Sequence, residues 1–290
     1  MPPIRPFQLS DLEPAAALAP HRRPELLAHL RWCLYTPYAE AFVHQHEGAL
    51  RGFVTSLSFT GSATLRELVA APATSDILHE LLHFILEHHT RHGRTSVVFT
   101  APTKKACHPE ATKNDCHPEV LRQAQPRRVE HEERSPRTLL EAAGLQTRET
   151  LLLFQGGHFI QATHEEVELI TPAHTLGLLH LDRQVSGQDR APLLLEHRFA
   201  AQAWVQDGKV EGYLLPTLGR GLVVANTPTV GLELQRWLLP HQHEVLVPAT
   251  NTAACEHLKE RGYTGTIFGV RMEYGDPLAV DAQRLFGVGW

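Results

Sequence analysis

Two copies of Cys-His-Pro-Glu, Cys107 to Glu110 and Cys116 to Glu119, put two thiols and two imidazoles on one short segment of this chain. Thiolate sulfur and imidazole nitrogen are ligands that zinc prefers, so Cys107, His108, Cys116 and His117 have suitable types. Their spacing does not suit it. Zinc sites typically set paired cysteines two to four residues apart and paired histidines three to five, whereas here each ligand sits next to another along the chain, which strains a chelate. The expectation is no metal.

The chain has 20 histidines, enough to change its charge substantially between pH 5 and 8. His83, His88, His89 and His92 fall on one helix-like stretch and are expected mostly on exposed, solvated faces. Glu67 lies in the strand-like run TLRELVAAP, in phase with Leu65 and Val69. Ser75 and Asn251 each stand where a helix begins, the position at which a short polar side chain caps free backbone amides. Asp182 and Arg190 are close enough in sequence to form a salt bridge between loop residues or to bind a ligand together.

These residues are held by a pattern that occurs twice. AFVHQHEGALRGFVTS (41–56) and AWVQDGKVEGYLLP (203–216) alternate apolar and polar residues around a glycine turn and predict hairpins. In each, a second glycine (Gly52, Gly212) precedes an aromatic residue (Phe53, Tyr213). A further strand follows each hairpin, then a helix, SDILHELLHFILEHHTRHG or TVGLELQRWLLP, the first with Ile77, Leu78, Leu81, Leu82 and Ile85 at helical spacing. Next come the strands TSVVFTAP and HEVLVPAT, the short helices LLEAAG and ACEHLKERG, and the last strands RETLLLFQ and GTIFGVRMEY. A strand and helical region precede each hairpin. The fold class is therefore α+β or mixed α/β, in two units, residues 1–156 and 157–290, with the boundary near Gly156 and Gly157.

Composition narrows the function. A hydrophobic content of 42%, 20% charged residues and a net charge of -5 describe a globular chain with no electrostatic footprint for nucleic acid. No apolar run is long enough to span a bilayer, and the first residues lack a signal-peptide pattern. Four cysteines form no disulfide framework. A cytoplasmic protein without a membrane or nucleic-acid partner is expected; its oligomeric state is not encoded in any visible pattern.

The element order resembles a tandem arrangement of the GNAT superfamily, the acetyl-CoA-dependent N-acetyltransferases. NTAACEHLKERGY (251–263) is similar to the family's Asn-x-x-Ala, helix, Gly-aromatic segment after its fifth strand. Arg271, Met272 and Gly275, and Asp182, Gly187 and Arg190, are similar to the second domain of two-domain bacterial members. The resemblance implies two tandem domains, each a mostly antiparallel central sheet with flanking helices. It also implies a split between the fourth and fifth strands that takes acetyl-CoA as cosubstrate, and a small-molecule or peptide amine as acceptor.

On that resemblance Glu67 is the candidate general base, the alternative being an ordinary exposed or paired strand residue. The cofactor would meet Leu68, Val69, Ala70, Ser75 and Asp76 in the first half, or Val223, Val224 and Asn251 in the second. Asp182 and Arg190 are candidate substrate-binding residues. Two departures stand out. The glycine-rich pyrophosphate turn is replaced by ATSDILHELL and by NTPTVGLELQ, where only Gly231 remains. The position of the family's tyrosine acid holds Leu258 in the second half and, by rough alignment, Leu140 in the first. An N-acyltransferase is the leading reading, and a non-catalytic relative that binds a small ligand or acts structurally is the alternative.

The Cys-His segment falls within residues 103–134, an insertion between TSVVFTAP and its following helix that has no equivalent in the second half. It is rich in charge and proline and poor in large apolar residues, which predicts a disordered excursion. HPEVLRQAQP resembles the translation of dispersed repetitive DNA elements, so the segment reads as a passenger without chemistry, tolerated because long surface loops cost little closure entropy.

Overall fold

The computed structural model describes residues 3–71, 75–102, 136–158, 162 and 167–289. The insertion and both Cys-His-Pro-Glu copies lie outside the described residues. The first repeat runs β1 (Ile4–Pro6), α1 (Leu12–Ala17), α2 (Arg23–Tyr35), β2 (Ala39–His46), β3 (Ala49–Phe59), β4 (Ser62–Ala70), α3 (Ser75–Arg91), β5 (Ser96–Pro102), α4 (Pro136–Ala142) and β6 (Gln146–Gln155). The second runs β7 (Val167–Leu169), α5 (Thr175–Ser186), α6 (Ala191–His197), β8 (Gln202–Gln206), β9 (Lys209–Leu215), β10 (Leu222–Ala225), α7 (Pro228–Leu238), β11 (Glu244–Pro248), α8 (Thr252–Glu260) and β12 (Thr264–Gly275). The order is the same in both. One more strand, β13 (Leu285–Gly287), follows the second repeat.

Each hairpin turns on two residues at positive φ, Glu47-Gly48 and Asp207-Gly208, the geometry whose twist matches that of paired strands. The second glycine of each hairpin has its own reason. A Cβ on Gly52 would lie 2.8 Å from the Val69 carbonyl oxygen and 2.9 Å from Leu81 Cδ1, and one on Gly212 would lie 2.6 Å from Val230 Cγ1 and 2.7 Å from Leu234 Cδ1. Both glycines let a helix, α3 or α7, settle directly on its hairpin.

The repeats exchange strands. The larger sheet has the order β1-β2-β3-β4-β5-β12-β6-β11 and the smaller β13-β10-β9-β8-β7. Thus β12 of the second repeat pairs with β5 of the first, while β6 of the first pairs with β11 of the second. Almost all pairings are antiparallel; β4 and β5 run parallel over Ser62–Leu65 against Ser96–Phe99. Helices α1 and α2 cover one face of the first repeat's strands, burying Leu26, Leu30, Val43 and Phe53, and α3 and α4 cover the other, burying Leu81, Leu82, Ile85 and Leu140. Leu57 and Phe59 of β3 share a core with Leu181, Val185, Tyr213 and Leu215, which joins the two halves. Among the described residues no helix is long and apolar enough to cross a membrane.

Candidate functional site

Past Leu65 the parallel pair ends, and β4 continues to Ala70 with β3 on one side and, among the described residues, no paired strand on the other. A β-bulge marks the point of parting. Thr55 is opposite Glu67 and Ser56 opposite Leu65, so Arg66 is the extra residue. Leu65 and Leu68 pack toward α3, whereas Val69 packs toward α1 and α2 and Glu67 reaches Arg22 beside them.

A polar cluster surrounds the bulge. Arg22 donates from Nη2 to Glu67 Oε1 at 2.8 Å and from Nη1 to Oε2 at 3.1 Å, and Nη2 also reaches Glu25 Oε1 at 2.9 Å. Donating to Glu67 and Glu25 raises the Arg22 pKa above its ordinary value, and accepting from Arg22 holds Glu25 below the usual carboxylate range. The backbone amide of Glu67 donates to Thr55 Oγ1 at 3.2 Å, and Thr55 Oγ1 lies 2.9 Å from His29 Nε2. Burial pushes His29 down to about 4, so the ring is neutral at pH 7, and pushes the neighbouring Cys33 thiol up to about 12. Arg22, His29, Thr55 and Arg66 were not singled out in the sequence. For His29 a signal existed, since it lies three residues after Leu26 and four before Cys33 on a helix whose buried stripe includes both.

Beside this cluster His29 stacks on Trp32, with ring centroids 6.0 Å apart, and a groove of about 630 Å³ opens along α2, lined by Arg31, Trp32, Tyr35 and Glu196. Trp32 Nε1 donates to Glu196 Oε1 at 2.7 Å and the Tyr38 hydroxyl donates to Oε2, so α6 of the second repeat closes one wall.

The corresponding gap of the second repeat is filled. β13 pairs with β10, Val223 opposite Gly287 and Val224 opposite Leu285, and the Val288 amide donates to the Leu246 carbonyl of β11 at 2.7 Å. Val223 and Val224 are thereby engaged by the chain itself. Asn251 caps α8, accepting from the Ala254 amide at 3.0 Å, while its Nδ2 donates to the carbonyls of Gln283 at 3.0 Å and Leu285 at 2.8 Å. Gly231 lies under the Phe286 ring, which a Cβ at that position would overlap.

The remaining sequence candidates are elsewhere. Asp182 and Arg190 form a buried ion pair, 1% and 5% exposed. Ser75 is the first residue of α3, but its side chain and residues 72–74 lie outside the description. Asp76, exposed in the first turn, sets its carboxylate against the positive end of its own helix. The expectation for the histidines of α3 needs correction. His83 and His92 are exposed, but His89 is wholly buried and His88 half-buried, because His89 continues the apolar stripe of Leu82 and Ile85 at i+7 and i+4. Glu40, His88 and His89 have donor atoms within 4.8 Å of one another, but Arg94 already lies 3.0 Å from the Glu40 carboxylate and supplies the cation there.

No family model matches the chain, and no curated protein sequence matches it. Solved structures do. A Pyrococcus horikoshii protein assigned as an acetyltransferase superposes with a TM-score of 0.74 at 15% identity, over 98% of this chain and 93% of that one. A tandem GNAT protein from the clavulanic acid biosynthesis pathway, without acetyl-CoA, gives 0.52 at 14% over 94% and 98%. A GCN5-related glucosamine N-acetyltransferase region in a fungal multi-domain GH3 beta-N-acetylglucosaminidase gives 0.60 at 11% over 93% of this chain and 38% of that one. The chain has the GNAT fold, across nearly its whole length.

Proposed function

We propose that the chain is an N-acyltransferase that works at the split between β4 and β5, transferring an acetyl or other acyl group from acyl-CoA to a small-molecule or peptide amine. The observation that carries this reading is the outer edge of β4 past Leu65, with which no strand among the described residues pairs, directly beside Glu67. Leu68 and Ala70 turn their backbone groups to that edge, which suits an arm built from amides, while the Val69 carbonyl faces β3. When bound, the carrier supplies a thioester carbonyl.

The rest falls to side chains of this chain. Glu67 has both oxygens engaged by Arg22, but an ionised carboxylate has about four acceptor directions, so it can still receive a proton from an incoming ammonium or from a water between them. Thr55 fixes the bulge by accepting from the Glu67 amide, and neutral His29 holds Thr55 in turn. The groove along α2, lined by Arg31, Trp32, Tyr35 and Glu196, is where we place the acceptor. Positioning and backbone hydrogen bonding supply most of the rate in such a site.

The fork from Arg22 to Glu67 also favours the second reading, a ligand-binding relative without turnover. Calorimetric titration with acetyl-CoA tests both. The acyltransferase reading expects saturable binding and a rise in thermal stability, worth about 2.7 kcal/mol at a hundred times Kd, together with release of free CoA when an amine is added. Binding without thiol release under a broad amine panel favours the second reading; no binding at millimolar carrier removes the acyltransferase reading and leaves the non-catalytic relative in front.

A further inference from the structure

We propose that the gap between β10 and β11 is a binding site for an extended peptide strand, that residues 282–288 are its ligand in this chain, and that it does not take a thioester carrier. The inference is independent of what happens at the first gap.

The site is built around a peptide backbone. β10 presents its edge to Leu285 and Gly287, and β11 receives the Val288 amide at the Leu246 carbonyl, 2.7 Å away. Two side-chain amides reach in for three successive or near-successive carbonyls. Asn251 donates to those of Gln283 and Leu285 at 3.0 and 2.8 Å, and Gln235 to that of Phe286 at 2.7 Å. Neither amide is free to rotate. The Asn251 oxygen caps α8, and the Gln235 oxygen lies 2.9 Å from His257 Nδ1, the nitrogen that must carry the ring proton because Gln235 has only its oxygen left to offer. Asn251 and Gln235 are 2% and 0% exposed, so this donor set is desolvated and loses heavily if unpaired.

Two positions give the site a sequence preference. Phe286, 1% exposed, fills a pocket whose floor is Gly231, where any side chain would overlap the ring. The next residue must be small, because a Cβ on Gly287 would lie 3.0 Å from the Gly221 carbonyl oxygen and 3.3 Å from Val223. The ligand class is an extended peptide with an aromatic residue followed by glycine, recognised by strand addition. A pantetheine arm has amides but no ring, and would leave the Phe286 pocket empty. The strand is joined to β12 through Gly275, Asp276 and Pro277, all exposed, so the connection is separable from the binding.

The test uses the full chain with a protease recognition sequence placed after Asp276 and cut once the protein has folded, with circular dichroism confirming that the cut body stays folded. The released segment is expected to remain with the body on size exclusion and to exchange with a synthetic peptide of residues 279–289. A peptide carrying Phe286→Ala should bind about 100-fold more weakly or worse, as expected for losing a buried aromatic ring. Acetyl-CoA at millimolar concentration should neither expel the segment nor bind a second equivalent. Loss of the segment without rebinding, equal affinity of the F286A peptide, or expulsion by acetyl-CoA overturns the proposal. Hydrogen exchange on the uncut chain provides a second measurement: protection of the Gly287 and Val288 amides should be unchanged by saturating acetyl-CoA, and its loss on adding carrier counts against the site. A chain that holds the peptide but binds no carrier at either gap supports the peptide site while removing the acyltransfer reading.

Discussion

The guanidinium of Arg190 grips the carboxylate of Asp182 with two hydrogen bonds, Nη2 to Oδ1 at 2.6 Å and Nε to Oδ2 at 2.9 Å, where water has almost no access. Tyr213 of β9 donates to the same carboxylate, and Ser186 lies 3.3 Å from its other oxygen. Between the partners, Gln188 Nε2 donates to Ser62 Oγ of β4 at 3.2 Å, and Asp189 bridges to Thr60. The pair therefore fixes the loop through which the second repeat touches the strand that lines the first gap. It is a joint between halves.

Removing one partner of that joint should be costly. Asp182→Ala leaves a buried guanidinium uncompensated and is expected to destabilise the fold by about 3–5 kcal/mol, whereas replacing both partners with apolar residues of similar volume should cost far less. Urea denaturation of the single and double variants measures the difference. Equal losses would show that the ion pair itself, and not the orphaned charge, sets the cost.

Acid should weaken the fold in a window set by buried histidines. Burial pushes His29 and His257 down to about 4 and His89 to about 3. Unfolded, each takes up a proton near pH 6.5, so the unfolded chain binds more protons between about pH 4 and 6.5 and stability falls as pH drops through that range. Each of His29 and His257 contributes at most about 2 kcal/mol of loss at pH 5. Asp11, held low by Arg5, acts with the opposite sign of charge and only at lower pH, since its carboxylate must be protonated before that stabilisation is lost. A stability profile from pH 7 to 5 measures the histidine contribution, and His257→Gln should flatten it.

Gly231→Ala should act through the filled gap and nowhere else. Its methyl group would meet the Phe286 ring, so the variant must shift β13 or α7, at a cost of about 1–3 kcal/mol. Affinity for acetyl-CoA at the first gap should not change, because the neighbour that the new methyl group meets is Phe286 of β13, at the other gap. A large rise in the carrier's Kd with little loss of stability would instead return Gly231 to a phosphate-binding role.

Much of this architecture was legible in the sequence. The two hairpins follow from alternation around Glu47-Gly48 and Asp207-Gly208, and α3 from the spacing of Leu78, Leu81, Leu82 and Ile85. What was not legible is which strand each strand pairs with. RETLLLFQ and GTIFGVRMEY each read as the last strand of their own repeat, and alternation along a strand says nothing about its neighbour, so the exchange of β6 and β12 left no local trace. β13 is three residues long and too short to show a period. Asn251 was read as a cap or a cofactor contact, and its amide nitrogen serves a third purpose across 34 residues of chain. Glu67 was visible as a strand carboxylate, but the bulge at Arg66 puts it on the face of Val69 and not of Leu65, and Arg22 lies 45 residues earlier with no spacing rule to connect them.

Glu67 and Arg22 make the sharpest prediction for the proposed chemistry. If Glu67 receives the proton of the amine, Glu67→Gln keeps the shape of the side chain and one of its two hydrogen bonds from Arg22 but loses the base, so kcat should fall by about 100-fold or more while the carrier's Kd stays put. Arg22→Ala should behave differently. It frees both oxygens of Glu67 while leaving the carboxylate in place, so kcat should fall far less than in Glu67→Gln. Steady-state kinetics of both variants measure the contrast. Equal losses of kcat in the two variants would show that Glu67 is only an anchor for Arg22, and the base must then be a water or another group at the same split.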